Sequence, residues 1–223
     1  MKKTSPLYVI GFMMIISLVF GTAISSVHYA TLDILKKNER LLKNRVICRA
    51  FNLKVSGETA DDYQKTIDEN ITFDQITYKG RTWDVYRQKD TGNIGFVFSG
   101  TGFWDRITGI MVLSPDFSKV VNIQILDQKE TPGLGARIKD PWFTNQFKGV
   151  TIEWSKPVDK RIIVGASPDP NAKNRVDAIT GATQTSLALM RFLNSELELF
   201  RKAIKETKES KGKTTLEMPF TIE

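Results

Sequence analysis

One ten-residue segment holds side chains suited to carrying a phosphate group. It reads Asp-Ala-Ile-Thr-Gly-Ala-Thr-Gln-Thr-Ser over positions 177–186 and contains four hydroxyls, one acid and one glycine. It stands before a long segment, 183–206, that lacks Pro and Gly. Backbone N–H groups at the start of a helix favour bound phosphate. Asp and Thr before a helix also act as simple caps, and Thr180 or Asp177 is the candidate cap here.

The same segment resembles the flavinylation motif of the FMN-binding domain family, Asp-x-x-(Ser/Thr)-Gly-Ala-Thr-x-x-(Ser/Thr). Each defined position of that motif is matched in this chain. The resemblance implies that FMN is bound covalently, as a phosphoester to Thr183. It makes recognition positions of Asp177 and Ser186 and leaves Thr180 as the cap. The candidate cofactor-binding residues of the segment are Asp177, Thr180, Gly181, Ala182, Thr183, Thr185 and Ser186.

Two glycine-containing segments further upstream extend the resemblance. Glu-Thr-Pro-Gly-Leu-Gly at 130–135 requires a tight turn and lets backbone approach a ligand closely, although Pro-Gly alone also occurs in ordinary hairpins. Gly-Thr-Gly-Phe-Trp at 100–104 is similar to the family's Gly-x-Gly-x-Trp segment and is not a dinucleotide-binding fingerprint. The resemblance implies that Trp104 and Leu134 pack the flavin ring. The further candidate residues are Glu130, Thr131, Gly133 and Gly135, with hydrogen bonds to the ring edges or ribityl chain expected from Thr131 and the two glycine backbones.

Composition excludes several other chemistries. The chain has 223 residues, a single histidine, His28, and a single cysteine, Cys48. An internal disulfide is therefore impossible, and two-cysteine metal sites are excluded within the chain. The sequence also argues against Ser-His-Asp catalysis and gives no metal site and no catalytic residue of its own. The net charge of +7 is scattered among acidic residues rather than forming a basic stripe, so nucleic acid is not an expected partner.

An uncharged stretch near the N-terminus predicts a membrane anchor. Residues 7–27 carry no charge, and about 20 helical residues span the roughly 30 Å hydrocarbon core. A cleaved signal peptide is the alternative, but its apolar core is shorter. Charge leaves the orientation open, because basic residues flank both sides. The family resemblance implies a single-pass protein of the inner (cytoplasmic) membrane, with its globular domain on the extracytoplasmic side.

The elements that must position the three motifs follow from periodicity. A helix is predicted over 183–206, with its apolar face at Leu187, Met190, Leu193, Leu197, Phe200 and Ile204. Strands are predicted at 82–87, 93–98, 107–113 and 120–126, with further candidates at 150–154 and 161–165. The expected fold class is α+β, with one transmembrane helix before a mixed α/β domain containing an antiparallel sheet. The expected organisation is an anchor at 1–28, a helical connector at 29–75, an FMN-binding domain at 76–206 and a loose polar tail at 207–223.

The resemblance also implies a function. Members of this kind include electron-carrying subunits of cation-pumping membrane oxidoreductases of the Rnf and Nqr types, and overall length favours the Rnf type. The implied partners are the membrane, the other subunits of such a complex, and a flavin transferase during maturation, because no His or Cys near Thr183 would activate its hydroxyl. Two alternatives stay open: a stand-alone anchored extracytoplasmic flavoprotein, and an assembly module that keeps the fold without the cofactor.

Overall fold

The computed structural model describes residues 5–166, 169 and 171–216. They separate into two compact units, which divide between residues 42 and 43. The helices are α1 (Pro6–Ala50), α2 (Ala60–Asn70), α3 (Pro141–Thr144) and α4 (Thr183–Leu216). The strands are β1 (Ile71–Tyr78), β2 (Arg81–Gln88), β3 (Ile94–Thr101), β4 (Arg106–Leu113), β5 (Val120–Asp127), β6 (Ile163–Val164) and β7 (Arg175–Val176). Three 3₁₀ helices lie at Gly135–Lys139, Asn145–Phe147 and Val158–Lys160.

The first unit is the N-terminal part of α1. This helix is long and apolar enough to cross a membrane, by length and composition. Its large apolar side chains, such as Leu7, Phe12 and Val19, are exposed, as expected for a surface that faces lipid rather than a protein core. The structure therefore confirms an apolar N-terminal helix over the predicted span.

The second unit is built around a five-stranded antiparallel meander in the order β1-β2-β3-β4-β5. The four predicted strands are confirmed as β2 to β5. The prediction missed β1, an edge strand in which only Ile71 and Ile76 are buried, so the apolar alternation that marks a half-buried strand is weak. A two-residue turn joins β1 to β2, with positive φ at Lys79 and Gly80. The sheet thus begins at Ile71, before the expected boundary at residue 76.

Three other expectations need correction. Residues 150–154 form no strand, because only Thr151 bridges to Lys119. The candidate at 161–165 shortens to β6, which pairs in parallel with β7 as a separate two-stranded sheet. The helix predicted to end near residue 206 continues to Leu216, so the expected loose tail is helical over 207–216, while 217–223 lie outside the described residues.

The sheet carries a hydrophobic cluster on each face. On one face α4 contributes Leu189, Leu193, Leu197, Phe200 and Ile204 to the larger cluster. On the other face the end of α1 and the segment after it contribute buried Ile47, Cys48, Ala50 and Phe51, together with Ile67 of α2. Residues 43–75 are therefore part of the folded unit rather than a separate connector. Burial raises the pKa of the Cys48 thiol to about 11, so this cysteine is an inert core residue.

The topology brings the three motif segments to one edge of the sheet. Residues 102–105 connect β3 to β4, and residues 128–134 leave the end of β5. Because β4 is antiparallel to β3 and β5, the start of β4 and the end of β5 lie side by side. The first turn of α4 reaches the same edge, where Gly135 is packed against Thr185.

Candidate functional site

An open cleft of about 390 Å³ lies where the three motif segments meet. This volume is within the roughly 300–1,000 Å³ typical of small-molecule sites. Ten residues line it: Phe103, Trp104, Thr131, Leu134, Gly135, Gly181, Ala182, Thr183, Gln184 and Thr185. All except Phe103 and Gln184 are sequence-predicted site residues. Phe103 and Gln184 occupy variable positions of their motifs, so the motif patterns carried no signal for them.

Thr183 is the first residue of α4 and is exposed on the wall of this cleft. The first intrahelical bond runs from the Ser186 N–H to the Ala182 carbonyl at 3.0 Å, which makes Ala182 the residue before the helix. The backbone N–H groups of the first turn have no intrahelical partner. The expectation that Thr180 or Asp177 caps α4 is therefore wrong: the turn at 179–182, with Gly181 at positive φ, separates both from the helix start.

The next two hydroxyls of the motif are buried and already bonded. Thr185 is 3% exposed, and its Oγ1 donates to Glu130 Oε2 at 2.7 Å. Ser186 is fully buried, and its Oγ accepts the Ile179 backbone N–H at 3.1 Å. These two side chains hold the loop before α4 against the helix and against residue 130. Thr183 is thus the motif hydroxyl that is both exposed and on the cleft wall.

Two aromatic rings form the outer wall of the cleft. Phe103 and Trp104 occupy the β3–β4 hairpin loop, which is closed by the Gly102 N–H donating to the Asp105 carbonyl at 2.8 Å. Their ring centroids lie 5.0 Å apart in an edge-to-face arrangement. Trp104 is 69% exposed and Leu134 is 44% exposed, so both present apolar surface to the cleft. Large exposed apolar groups in one concave site are typical of ligand surfaces.

Glu130 joins the three motif segments beneath the cleft. Its side chain is 4% exposed. Oε1 accepts the backbone N–H of Phe103 at 2.9 Å and of Trp104 at 3.0 Å, while Oε2 accepts the Thr185 hydroxyl. A Cβ added to Gly135 would lie 2.6 Å from Thr185 Oγ1 and 3.0 Å from Glu130 Cβ. The glycine at 135 therefore leaves the room that this contact requires.

The remaining predicted residues lie outside the cleft. Gly133, at positive φ, faces the other side of the 131–136 loop, where it lines a polar depression with Arg137 and Lys139. Asp177 is exposed and pairs with Arg175 at 2.7 Å. Thr180 is exposed in the turn before α4. Their roles toward a cofactor stay predictions.

A second, larger cavity of about 650 Å³ lies on the other side of Thr183. Aliphatic side chains from β6 and α4 form its walls, including Ile163, Val164, Leu187 and Met190, and Lys156 and Lys160 lie among its lining residues. Thr183 lines both spaces. The two differ in chemistry, because aromatic rings and glycine backbone line the smaller cleft.

Charged groups near the aromatic cleft are mostly paired with one another. Lys129 Nζ lies 3.3 Å from Asp105 Oδ2. The backbone N–H of Arg106 and this lysine together hold the pKa of Asp105 below its usual range. The guanidinium of Arg137 stacks over Trp142 at 5.0 Å and contacts Asp140 at 3.4 Å. Within the described residues there is no group of three or more His, Cys, Asp or Glu side chains suited to a metal ion.

This combination of fold and site defines a class. Residues 102–198 match the family model of the FMN-binding domain, and these residues contain Trp104, the 130–135 loop and the whole hydroxyl motif. This part of the chain therefore belongs to the FMN-binding domain family, and the family resemblance found in the sequence is confirmed.

Particular relatives narrow the comparison. The chain is 37% identical over 107 residues to the NqrC protein of the Na(+)-translocating NADH-quinone reductase from Pasteurella multocida, which covers 46% of this chain and 41% of the relative. It is 31% identical over 137 residues to the protein of the same name from Vibrio campbellii, covering 59% and 51% respectively. The chain thus spans about half the length of these relatives. Both are of the Nqr type.

Solved structures show the same fold. The crystal structure of Shewanella oneidensis NqrC aligns with a TM-score of 0.66 at 19% identity, over 77% of this chain and 99% of that chain. The corresponding protein of the Na(+)-translocating NADH-quinone reductase from Parabacteroides distasonis aligns with a TM-score of 0.62 at 24% identity, over 76% and 94%. At these identities the likeness establishes the architecture, an antiparallel sheet in a mixed α/β domain.

Proposed function

We propose that this protein carries FMN attached through a phosphoester to Thr183 and serves as an electron-carrying subunit of an Nqr-type Na⁺-translocating NADH:quinone reductase. The observation that carries the proposal is the position of Thr183. Its hydroxyl is exposed at the first residue of a long helix, on the wall of a cleft that also presents Trp104 and Leu134. The relatives named above support the type of complex.

The helix start fits the phosphate of FMN. Thr183, Gln184 and Thr185 form the first turn of α4, and their N–H groups point out of the helix without intrahelical acceptors. The helix dipole places positive potential at this end and stabilises an adjacent anion by about 0.3–1 kcal/mol at an exposed site. A phosphate esterified to Thr183 Oγ1 would therefore lie where the backbone offers both donors and potential.

The rest of the cleft fits the ring and its chain. Trp104, Phe103 and Leu134 provide aromatic and aliphatic surface, and Gly135 and Gly181 keep side-chain bulk out of the space beside Thr183. Thr131 places a hydroxyl on the same wall. When bound, FMN supplies the redox chemistry, and these residues bind it, orient it and limit the access of water.

Attachment requires an external catalyst in this proposal. No His or Cys lines the cleft among the described residues, and the acid of the motif, Asp177, is paired with Arg175. A flavin transferase that uses FAD would balance the reaction: the bond from Thr183 Oγ1 to the FMN phosphorus forms and the phosphoanhydride bond breaks. AMP leaves, and a base of the transferase takes the hydroxyl proton. Covalent attachment then keeps the cofactor in place regardless of its affinity.

The anchor and the partners complete the proposal. The apolar part of α1 would cross the inner membrane once and hold the domain on the extracytoplasmic side, next to the integral subunits with which it exchanges electrons. An Rnf-type complex and a stand-alone anchored flavoprotein are the alternatives. Purification of the native protein in mild detergent distinguishes them, because the Nqr assignment expects the other Nqr subunits to copurify with it.

In-gel fluorescence tests the attachment. The full chain is expressed with an active flavin transferase, and the denaturing gel is illuminated for flavin. We expect a fluorescent band for the wild type and for Gln184→Ala, an exposed neighbour at a variable position of the motif, and no band for Thr183→Ala. A dark wild-type band beside a fluorescent positive-control substrate would contradict covalent attachment and favour the cofactor-free module. A fluorescent Thr183→Ala band would place the bond on another residue.

A further inference from the structure

We propose that Glu130 is the positioning residue of the flavin site: its buried carboxylate fixes Trp104 and the first turn of α4 against each other and so sets the stacking and the midpoint potential of the flavin. This inference rests on the proposed function, because it concerns the environment of the FMN on Thr183. It assigns to Glu130 a role that acts through its neighbours rather than by touching the ring.

The hydrogen bonds of Glu130 connect all three motif segments. Oε1 accepts from the backbone N–H of Phe103 at 2.9 Å and of Trp104 at 3.0 Å, and Oε2 accepts from Thr185 Oγ1 at 2.7 Å. The backbone N–H of Glu130 itself donates to Gln128 Oε1 at 2.7 Å. One side chain thus ties the aromatic hairpin loop and the helix that begins at Thr183 to the loop carrying Leu134.

The surroundings of Glu130 are dry and contain no paired cation. Its side chain is 4% exposed, and no Lys or Arg of the described residues forms an ion pair with it. Its partners are two backbone N–H groups and one hydroxyl, each of which belongs to a residue that lines the cleft. A carboxylate held only by dipoles in a low-dielectric site keeps its field, because no counter-charge cancels it and little water screens it.

Two glycines make this arrangement possible. A Cβ at Gly135 would lie 3.0 Å from both Cβ and Oε2 of Glu130, and a Cβ at Gly102 would meet Glu130 Oε1 and lie 2.9 Å from the Asp105 carbonyl. The glycine of the hairpin loop and the last glycine of the 130–135 loop therefore both border the same carboxylate. The three motifs that are separate in the sequence are spaced by the requirements of one buried side chain.

Two effects on the flavin follow. The bonds to Phe103 and Trp104 hold the backbone from which the Trp104 ring projects, so they set the distance between that ring and the flavin, on which quenching of flavin fluorescence depends. The negative charge beneath the cleft opposes the addition of electrons to the ring above it and thus lowers its midpoint potential.

The test compares Glu130→Gln with Asp105→Asn in the flavinylated full chain. Gln keeps an acceptor for the loop N–H groups but removes the charge. Asp105→Asn removes a charge from the same hairpin loop at a half-exposed side chain, while Asn keeps the acceptor for the Arg106 N–H. The readouts are the covalent band on a denaturing gel, flavin fluorescence of the folded protein, and the midpoint potential from a spectroscopic redox titration.

We expect the covalent band in both variants, a more positive midpoint potential and increased flavin fluorescence in Glu130→Gln, and a much smaller potential shift in Asp105→Asn because that group is screened by water. A band in both variants, with the Glu130→Gln potential and fluorescence equal to those of the wild type, would overturn the proposal. Loss of the band from the wild type would instead contradict the proposed function, so the two failures are distinguishable.

Thr185→Val carries the test if Glu130→Gln does not fold. Val keeps the shape of Thr and removes only the bond to Oε2, so the loop N–H bonds to Oε1 remain. We expect an intermediate change in flavin fluorescence with the band retained, and restoration of the wild-type value in Thr185→Ser, which keeps the hydroxyl. Equal fluorescence in all three proteins would overturn the positioning role.

Discussion

Two glutamates of the folded unit are equally buried and are satisfied in different ways. Glu130 and Glu196 are each 4% exposed. Glu130 accepts only from backbone N–H groups and a hydroxyl. Glu196, in the middle of α4, lies 2.6 Å from the guanidinium of Arg81 and accepts from Trp83 Nε1 at 3.2 Å. The difference separates a carboxylate that shapes a ligand cleft from one that fastens a helix to a sheet.

The contrast shows what each environment does with a charge. At Glu196 the cation neutralises the charge locally, and the contact joins α4 to β2 across the core. Burial nevertheless raises the pKa of Glu196, against the opposing effects of the Trp83 hydrogen bond and Arg81. At Glu130 the dipolar partners leave a field that a ligand in the cleft can experience. We therefore expect changes near Glu196 to alter stability alone and changes near Glu130 to alter the flavin.

The largest expected effect on stability is that of Arg81→Ala. Removing the cation leaves a buried carboxylate without its counter-charge, which costs 3–5 kcal/mol for a fully buried pair and about 2–3 kcal/mol here, because Arg81 is partly exposed. For a domain of this size that corresponds to a Tm roughly 4–12 °C lower, measured by thermal unfolding of the full chain in detergent. Flavin attachment should be unchanged.

Lys43→Ala is the matched control for Arg81→Ala. It breaks a pair with Asp84 at 3.6 Å between more exposed side chains, and such surface pairs contribute about 0–1 kcal/mol. Equal Tm values for the two variants would mean that Arg81 does not stabilise Glu196, and the division of roles between the two glutamates would fail.

Gly135→Ala should have the next largest effect and should act at the other glutamate. Its Cβ would lie 2.6 Å from Thr185 Oγ1 and 3.0 Å from Glu130 Cβ. Overpacking of this kind costs about 1–3 kcal/mol, and the displaced Glu130 should also alter flavin fluorescence.

Gly133→Ala separates backbone strain from this clash. Its φ is +75°, and a Cβ there meets nothing within 4 Å, so it should cost about 1 kcal/mol through the left-handed backbone alone. If it changes the fluorescence of the bound flavin as much as Gly135→Ala does, the clash with Glu130 is not the cause.

The sequence predicted much of this arrangement because the motifs are local. Four strands followed from apolar alternation, and α4 followed from its three-and-four spacing, with Leu193, Leu197, Phe200 and Ile204 buried as expected. The cleft wall at Trp104, Leu134 and Thr183 followed from the family motifs. Strand β1 did not, because an edge strand with two buried residues carries almost no periodic signal.

The parts that the sequence did not predict depend on contacts between distant segments. The role of Glu130 requires knowing that residues 103, 104 and 185 converge on it, which only the strand order determines. The cap predictions for Thr180 and Asp177 failed because Gly181 takes positive φ and ends the loop one turn before the helix. Helix α4 was predicted too short, because its continuation to Leu216 is polar and lacks an apolar stripe.

Trp104→Ala should change the flavin with little effect on stability. The side chain is 69% exposed, and substitutions at such positions usually change stability by less than about 0.5 kcal/mol. We expect the covalent band to remain and flavin fluorescence or potential to change, since the ring would lose its aromatic neighbour. If the flavin spectrum, fluorescence and potential all equal those of the wild type, Trp104 does not pack on the ring.

The smallest expected effect is a difference in pH dependence between two glutamates of α4. Burial raises the pKa of Glu196, so its stabilising contribution is present below its ordinary pKa of about 4.3 and is lost as pH rises through the raised pKa. Hydrogen bonds from Lys202 and Arg161 lower the pKa of Glu198, so its contribution is present above about pH 4.3 and is lost as pH falls through the lowered pKa.

Replacement by Gln should therefore give opposite slopes at the two positions. As pH rises from about 4 to 7, the Tm of Glu196→Gln should rise relative to the wild type. Lowering pH through the acidic side of that range should raise the Tm of Glu198→Gln relative to the wild type. The two residues lie on the same helix, and the side chain of Glu198 is more exposed and contacts two cations, Arg161 and Lys202, whereas Glu196 has one. Slopes of the same sign would mean that burial and cation number do not explain the difference, and the contrast between dipole-held and cation-held carboxylates would lose its physical basis.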